Sequence, residues 1–191
     1  MTITLLSCNE EKWLEEVPYD FYSPENSYSS PEQIDIAVVK LYQDVHSMLF
    51  GNGGNGYGWL FQYTTDVAYD AIAPTHQLNS WADKITPETG EVAWVWSSFY
   101  KIIFNANAIL SRIGSLEYAS EDDRNAKIAE AKFFRAFAYR GLGIMYGGVP
   151  LVLEEITSPK RDFVRATQSK VWEQVIIDLT DAVQDLPDAD E

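Results

Sequence analysis

Length, composition and charge limit what this chain can be. Its 191 residues are 46% apolar and 14% aromatic, which is enough apolar material for one large domain or two small ones. A formal net charge of −15 excludes a protein that neutralises nucleic-acid phosphates and a polybasic membrane-surface patch. One cysteine excludes an internal disulfide, and the distant His46 and His76 lack zinc-ligand spacing, so we expect neither a metal nor a cofactor.

The N-terminal residues resemble a lipidation signal. LLSC at residues 5–8 fits a bacterial lipobox, in which the thiol of Cys8 is diacylated. The apolar run before it is short and lacks a basic flank, so we interpret residues 1–8 as a truncated lipoprotein signal; the alternative is an unmodified N-terminal cysteine. Residues 9–30 are rich in Pro, Ser and Tyr and predict an extended lead-in. No other stretch of the sequence reaches the roughly 18 apolar residues of a membrane span.

The first predicted helix follows the lead-in. Ser30 and Gln33 have the spacing of a capping box, with Pro31 at the first helical position. Apolar residues then recur every three or four positions, which predicts a helix over residues 31–48. The glycine-rich run at residues 51–58 ends it, because glycine adopts conformations that a helix does not continue through.

The glycine run contains the GxGxxG spacing of a dinucleotide-binding loop. Such a loop functions where glycines let a pyrophosphate approach a helix N-terminus directly after a strand. Here the run follows a helix, with neither a strand pattern before it nor a P-loop lysine after it, so we interpret it as an ordinary loop. Residues 59–71 predict a short helical or irregular piece, and a long polar loop leads to the next helix.

Three further helices are predicted after this loop. The apolar stripe from Trp94 to about Ile113 predicts the first of them. The second begins at the cap Ser120, places Met145 on its apolar face and ends at two glycines, 147 and 148. After an extended stretch at 149–155, the third begins at the cap Thr167, places Leu179 on its apolar face and ends at Leu186-Pro187. Aromatic residues on these stripes are interpreted as core: Trp96, Tyr100, Phe134, Phe137 and Trp172.

These elements predict an all-α fold of tetratricopeptide-like helix hairpins with long loops. Small alanines among large aromatics allow the two central helices to approach closely, although the 34-residue repeat consensus is absent. The sequence predicts no further helix against which the apolar face of the last helix could pack. We therefore interpret residues 31–191 as one incomplete helical domain.

Aromatic and polar residues in the loop before Trp94 are candidates for ligand binding. Tyr69 and Trp81 lie beside Asp70 and Asn79, and a flat ring next to carboxylate and amide groups suits the apolar face and hydroxyl rim of a sugar. Each stacked ring contributes on the order of 1–2 kcal/mol, so two or three rings give roughly millimolar to micromolar affinity. The alternative is that these aromatic rings pack against the domain that carries them.

Carboxylates offer a competing enzymatic interpretation. A glycoside hydrolase needs two carboxyl groups facing each other across a sugar, with one kept protonated by burial. Asp66 and Glu154 are the candidates, but the sequence does not bring them together. No Ser-His-Asp or Cys-His arrangement is present either, so we expect a protein without catalytic residues.

A series of motifs resembles the SusD/RagB family of outer-membrane nutrient-binding lipoproteins. It comprises Thr65-Asp66, Trp96-x3-Tyr100 with Asn107, the run from Glu130 to Tyr139 (EAKFFRAFAY), Gly147-Gly148-Val149-Pro150, and Arg165-x-Thr167 leading to Leu186-Pro187. Members of that family are longer than this chain, so the resemblance implies the N-terminal part of such a protein.

The resemblance implies a function, a location and partners. Family members are lipid-anchored on the cell surface of Bacteroidota, where they bind a glycan or other oligomeric nutrient and act as a lid on a TonB-dependent SusC-like transporter. By this resemblance, Cys8 carries the lipid and loops such as the one between Asp66 and Trp94 bind the ligand. Within that loop we expect Trp81 to be a stacking platform, Asn79 and Asp70 to be hydroxyl partners, and Tyr69 to be a second ring. Two alternatives stay open: a glycosidase using Asp66 or Glu154, and a tetratricopeptide-like adaptor for a protein partner.

Overall fold

The computed structural model describes residues 28–50, 65–69, 71, 79, 86 and 90–187. In these residues the regular structure is helical, apart from one isolated antiparallel bridge between Pro150 and Arg165. The prediction of an all-α fold is confirmed. The elements in chain order are α1 (Pro31–Phe50), α2 (Gly90–Arg112), a 3-10 turn (Ile113–Ser115), α3 (Glu121–Tyr146) and α4 (Gln168–Asp185).

Local sequence signals set the ends of α3 and α4. The side chain of Ser120 caps α3 by accepting a hydrogen bond from the backbone N–H of Asp122 at 3.1 Å. Thr167 caps α4 in the same way, accepting from the backbone N–H of Lys170 at 3.4 Å. Gly147 ends α3 with a φ of +72°, in the left-handed region that favours glycine. These ends agree with the sequence predictions.

The starts of α1 and α2 differ in detail from the predictions. Helix α1 begins at Pro31 as expected, but the Gln33 side chain accepts a hydrogen bond from the backbone N–H of Ser29 at 2.7 Å and not from that of Ser30. The Ser30 side chain instead hydrogen-bonds Glu32 and lowers the pKa of that carboxyl group. Helix α2 begins at Gly90, ahead of the predicted Trp94. The prediction missed its first turn, because apolar periodicity detects the buried stripe of a helix and not a polar first turn.

The core lies around α3, which packs against each of the other three helices. Gly141 allows the close approach of α2, since a Cβ atom there would lie 2.1 Å from the ring of Phe99. Of the aromatics interpreted as core, two are buried and three are partly buried against it. None of the described helices is long and apolar enough to cross a bilayer. The largest fully buried side chains include Tyr139, Phe99, Ile34, Leu41, Ile103 and Leu142.

Two predicted core positions are wrong. Met145 is 37% exposed and Leu179 is 39% exposed, whereas Asp178 between the buried turns of α4 is only 1% exposed. The buried side of α4 runs through Val171, Val175, Asp178 and Ala182, so a carboxylate occupies the interior position that hydrophobicity assigned to its neighbour. The reason lies on α3, where a buried arginine faces Asp178.

Candidate functional site

The family-like motifs meet at one extended stretch, residues 149–155, which we call the crossing segment. The hydroxyl group of Tyr100 on α2 donates to the carbonyl of Pro150 at 2.7 Å. The Asn107 amide, two turns further along α2, donates to the carbonyls of Val152 at 2.8 Å and Glu154 at 3.2 Å. On α3, the Tyr139 hydroxyl donates to the Val152 carbonyl at 2.8 Å and accepts from the Val152 N–H at 2.6 Å.

A buried arginine joins these contacts to α4. The Arg135 guanidinium, on α3, donates from Nε and Nη2 to the two carboxylate oxygens of Asp178 at 2.8 and 2.7 Å. Its Nη1 donates to the side-chain oxygen of Asn107 at 2.9 Å and to the carbonyl of Leu153 at 3.3 Å. The Gln174 amide adds a bond of 3.0 Å to Asp178. We call the set Tyr100, Asn107, Arg135, Tyr139 and Asp178 the polar clamp.

The polar clamp replaces the hydrogen bonds that a strand would obtain from a sheet. Backbone groups buried without a partner are costly, and beyond its bridge to Arg165 the crossing segment has side chains in place of a neighbouring strand. Burial raises the pKa of the Tyr139 hydroxyl to about 12 and also raises the pKa of Tyr100, so both phenols stay protonated and able to donate. The motif residues Tyr100, Asn107 and Tyr139 therefore have a scaffold role in the described structure.

An aromatic groove lies beside the crossing segment. A cavity of about 620 Å³ is lined by Trp96, Tyr100 and Phe104 of α2, by Val152 and by Phe163 of the following loop. Two polar side chains at its edge are already engaged, because Lys101 and Asn105 each donate to the buried carboxylate of Asp44 at 3.0 Å. The groove thus offers mainly apolar surface, which suits packing against another apolar group better than recognising sugar hydroxyls.

Tyr28, in the described part of the lead-in, lies against the domain at the other end of α2. The Arg112 guanidinium forms a bidentate pair with Glu155, with a shortest distance of 2.6 Å, and lies 5.4 Å from the centroid of the Tyr28 ring. Burial raises the pKa of the Tyr28 hydroxyl, while Arg112 opposes the rise. These residues line a second cavity of about 660 Å³ that also includes Phe104 and Phe163.

The residues predicted to bind a glycan are only partly described by the structure. Tyr69 is 61% exposed, in a turn over residues 65–69, and Asn79 is partly buried. Trp81 and Asp70 lie outside the described residues, as does the predicted lipidation site Cys8. The prediction of a shared site therefore stays a prediction.

The carboxylates of the hydrolase interpretation do not have the surroundings of a general acid. Asp66 and Glu154 are both exposed. A glycosidase acid is kept protonated by burial, so neither residue fits that role in the described structure. The backbone carbonyl of Glu154 accepts from Asn107, which gives this residue a place in the scaffold.

Comparison with known proteins defines the class of this chain. A family model for SusD-like proteins, described as starch-binding and associating with the outer membrane, matches residues 12–191. The chain therefore belongs to the SusD-like family. It is 29% identical to SusD-like protein P25 of Formosa agariphila over 94% of its own length, and 24% identical to a SusD-like protein of Bacteroides ovatus over 97%. It spans about a third of each of these relatives, 35% and 33% of their lengths.

Solved structures show the same fold. A SusD-like carbohydrate-binding protein from Bacteroides fragilis superimposes with a TM-score of 0.75 at 23% identity, over 85% of this chain and 33% of that one. A laminarin-binding SusD-like protein superimposes with a TM-score of 0.64 at 23% identity, over 84% of this chain and 35% of that one. At these identities the likeness concerns the fold.

Proposed function

We propose that this chain is the N-terminal part of a cell-surface lipoprotein that captures an oligosaccharide and delivers it to a TonB-dependent SusC-like transporter. In this proposal residues 1–8 end a lipoprotein signal, residues 9–30 form the tether, and residues 31–191 are the incomplete helical domain. The protein is non-catalytic. Its ligand is a glycan or a similar oligomeric nutrient.

One observation carries the proposal: the family match over residues 12–191, to proteins described as starch-binding and associating with the outer membrane. The carbohydrate-binding and laminarin-binding proteins of the same fold support it. The scaffold supports it as well, because motif residues of the helix pair hold the crossing segment through the polar clamp. In this proposal, ligand binding falls to the loops. Exposure of the two candidate carboxylates favours binding over hydrolysis.

We place the glycan site in the loop between α1 and α2. Trp81 is the main stacking platform, Tyr69 a second ring, and Asn79 and Asp70 the hydroxyl partners. The exposed fraction of Tyr69, 61%, leaves most of its side chain accessible to a ligand. Burying one aromatic face contributes on the order of 1–2 kcal/mol, so loss of one ring weakens binding about 5- to 30-fold.

Calorimetric titration with laminarin and with soluble starch tests this site. We expect Trp81→Ala and Tyr69→Ala to weaken binding of whichever glycan the wild type takes up. Tyr42→Ala is a matched control, because Tyr42 is 54% exposed but lies on α1, and it should leave the affinity unchanged. Unaltered binding by both loop variants would remove the site assignment. Release of reducing sugar by the purified protein would instead support the glycosidase.

Anchoring and delivery have separate tests. If Cys8 carries the lipid, Cys8→Ser will move the protein from the detergent phase to the aqueous phase in cells that process lipoproteins. If the protein is the lid of a transporter, it will co-purify with a large β-barrel protein encoded beside it. Co-purification without any glycan affinity would favour the adaptor interpretation.

A further inference from the structure

The described end of the lead-in contacts two separate parts of the domain. The ring of Tyr28 lies 5.4 Å from the guanidinium carbon of Arg112, at the end of α2. This guanidinium is held in turn by Glu155, whose carboxylate oxygens accept from Nε and Nη2 at 2.6 to 3.1 Å. The side chains of Arg112 and Glu155 are only 20% and 17% exposed, so the pair presents a fixed cation to the ring. One side chain of the lead-in is thereby joined to α2 and, through Arg112, to the end of the crossing segment.

The backbone of Tyr28 is strained in this position. Its φ is +62°, in the left-handed region that a bulky side chain rarely adopts. Such a conformation persists only where the surrounding contacts hold it. Two contacts do so here, because the ring packs against the core and the next residue, Ser29, donates from its backbone N–H to the side-chain oxygen of Gln33 at 2.7 Å. Since the strain opposes these contacts, the attachment can open without unfolding the domain.

The attachment lies at the end of α1 and α2 that is far from the loop joining them. Asp44 in the second half of α1 binds Lys101 and Asn105 of α2, whereas Tyr28, ahead of α1, meets Arg112 at the end of α2. The two helices are therefore antiparallel. Helix α1 has 20 residues and is about 30 Å long, so the loop between α1 and α2 leaves the helix pair about 30 Å from the attachment.

We propose that Tyr28, Arg112 and Glu155 form a releasable latch that fixes the end of the lead-in to the domain, at the end of the helix pair opposite to the loop between α1 and α2. The inference rests on the proposed function only where it treats the lead-in as a tether. A pull on that tether then passes through the closed latch to α2 and to the crossing segment, which the polar clamp holds. The loop proposed to bind the glycan lies outside this path.

Limited chymotrypsin digestion of the protein expressed from its whole open reading frame tests the latch. Mass spectrometry follows the product that begins at Ser29, and a synthetic peptide of residues 24–33 gives the rate for an unprotected bond. We expect the wild-type bond after Tyr28 to be cut at least about 10-fold more slowly than the peptide, because cleavage requires local opening. Arg112→Met should raise the rate about 10-fold, since it removes the cation under the ring. Arg140→Met is the control, because Arg140 is exposed on α3 and is no part of the latch.

The outcomes separate a latch from general folding. A wild-type bond cut as fast as the peptide, or Arg112→Met cut no faster than wild type, would overturn the proposal. The urea midpoint of each variant is measured as well, and a rise in cleavage that only matches the loss of global stability would assign Arg112 to the whole domain and refute the latch. Arg112→Lys keeps the charge without the bidentate fork, so it should give an intermediate rate even if Arg112→Met does not fold. Glycan affinity and lipidation enter none of these readouts, so failure of the latch is distinguishable from failure of the proposed function.

Discussion

Removing the buried arginine of the polar clamp is the most direct test of the scaffold. Arg135→Met leaves the carboxylate of Asp178, which is 1% exposed, with a hydrogen bond from the amide of Gln174 in place of a cationic partner. It also removes the donor to Asn107 and Leu153. Breaking a buried ion pair on one side costs about 3–5 kcal/mol, because an uncompensated charge stays inside. Since whole domains are stable by about 5–15 kcal/mol, the variant should be near the limit of folding.

The chain offers a matched control for this perturbation. Lys132 and Asp181 join the same two helices, α3 and α4, at 2.7 Å, the same distance as the Arg135–Asp178 pair. Their side chains are 26% and 45% exposed, against 9% and 1% for the buried pair. Exposed ion pairs contribute about 1 kcal/mol or less, so Lys132→Met should have a small effect. The two pairs share the same shortest distance and differ in burial and in the number of hydrogen bonds, since Arg135 binds both oxygens of Asp178 and also Asn107 and Leu153.

Urea unfolding followed by circular dichroism measures both variants. We expect the midpoint of Arg135→Met to fall far below that of Lys132→Met at a similar slope. Adding Asp178→Leu to Arg135→Met should recover part of the loss, since the stranded charge is removed, with a coupling free energy of about 2 kcal/mol. Equal losses for Arg135→Met and Lys132→Met, or additive losses in the double variant, would refute the reasoning.

Three further predictions follow from the described contacts. Gly148→Ala places a Cβ atom 2.2 Å from the carbonyl oxygen of Ala166. It should reduce the free energy of unfolding by about 1–3 kcal/mol and lower the melting temperature by several degrees. Gly114→Ala is the control and should leave the melting temperature unchanged, because no atom lies within 4 Å of the added Cβ. Burial raises the pKa of Tyr139 from 10.0 to about 12, so the folded state favours the neutral phenol. The contribution of this shift to the free energy of unfolding is complete below pH 10 and is lost between pH 10 and 12. Tyr139→Phe should reduce that loss of stability in an alkaline titration followed by circular dichroism. Ser120→Ala should cost about 1 kcal/mol in urea unfolding, and an unchanged midpoint would contradict its role as a cap.

The ends of α3 and α4 were predictable because their causes are local. A cap such as Ser120 and a stop such as Gly147 act within one turn, so a few adjacent residues contain the whole signal. Apolar periodicity located the buried stripes for the same reason. It failed at Leu179, because the inward position of Asp178 depends on a partner 43 residues away, and periodicity does not carry pairing between distant residues.

The polar clamp was missed although each of its residues was visible in the sequence. Asn107 and Arg135 lie on stripes that are otherwise apolar, and a polar residue in such a position needs a partner when it is buried. That irregularity is the signal that sequence reasoning had available. Their partners are backbone carbonyls of the crossing segment and, for Arg135, the distant side chain of Asp178. Neither kind of partner can be read from a local sequence pattern.

The clamp also explains how a family can be recognised from residues whose described contacts lie within the scaffold. The clamp side chains by which the helix pair is recognised hold the crossing segment against the helices. Their arrangement therefore specifies the fold of this part of the chain. Loop residues such as Tyr69 lie outside the set of residues that forms the clamp. The likeness to solved structures and curated relatives at 23–29% identity therefore concerns the scaffold, while under the proposed function the choice of glycan is expected to depend on the loop between α1 and α2. Substitutions in that loop are accordingly expected to alter ligand affinity at little cost in stability, and substitutions in the clamp to do the reverse.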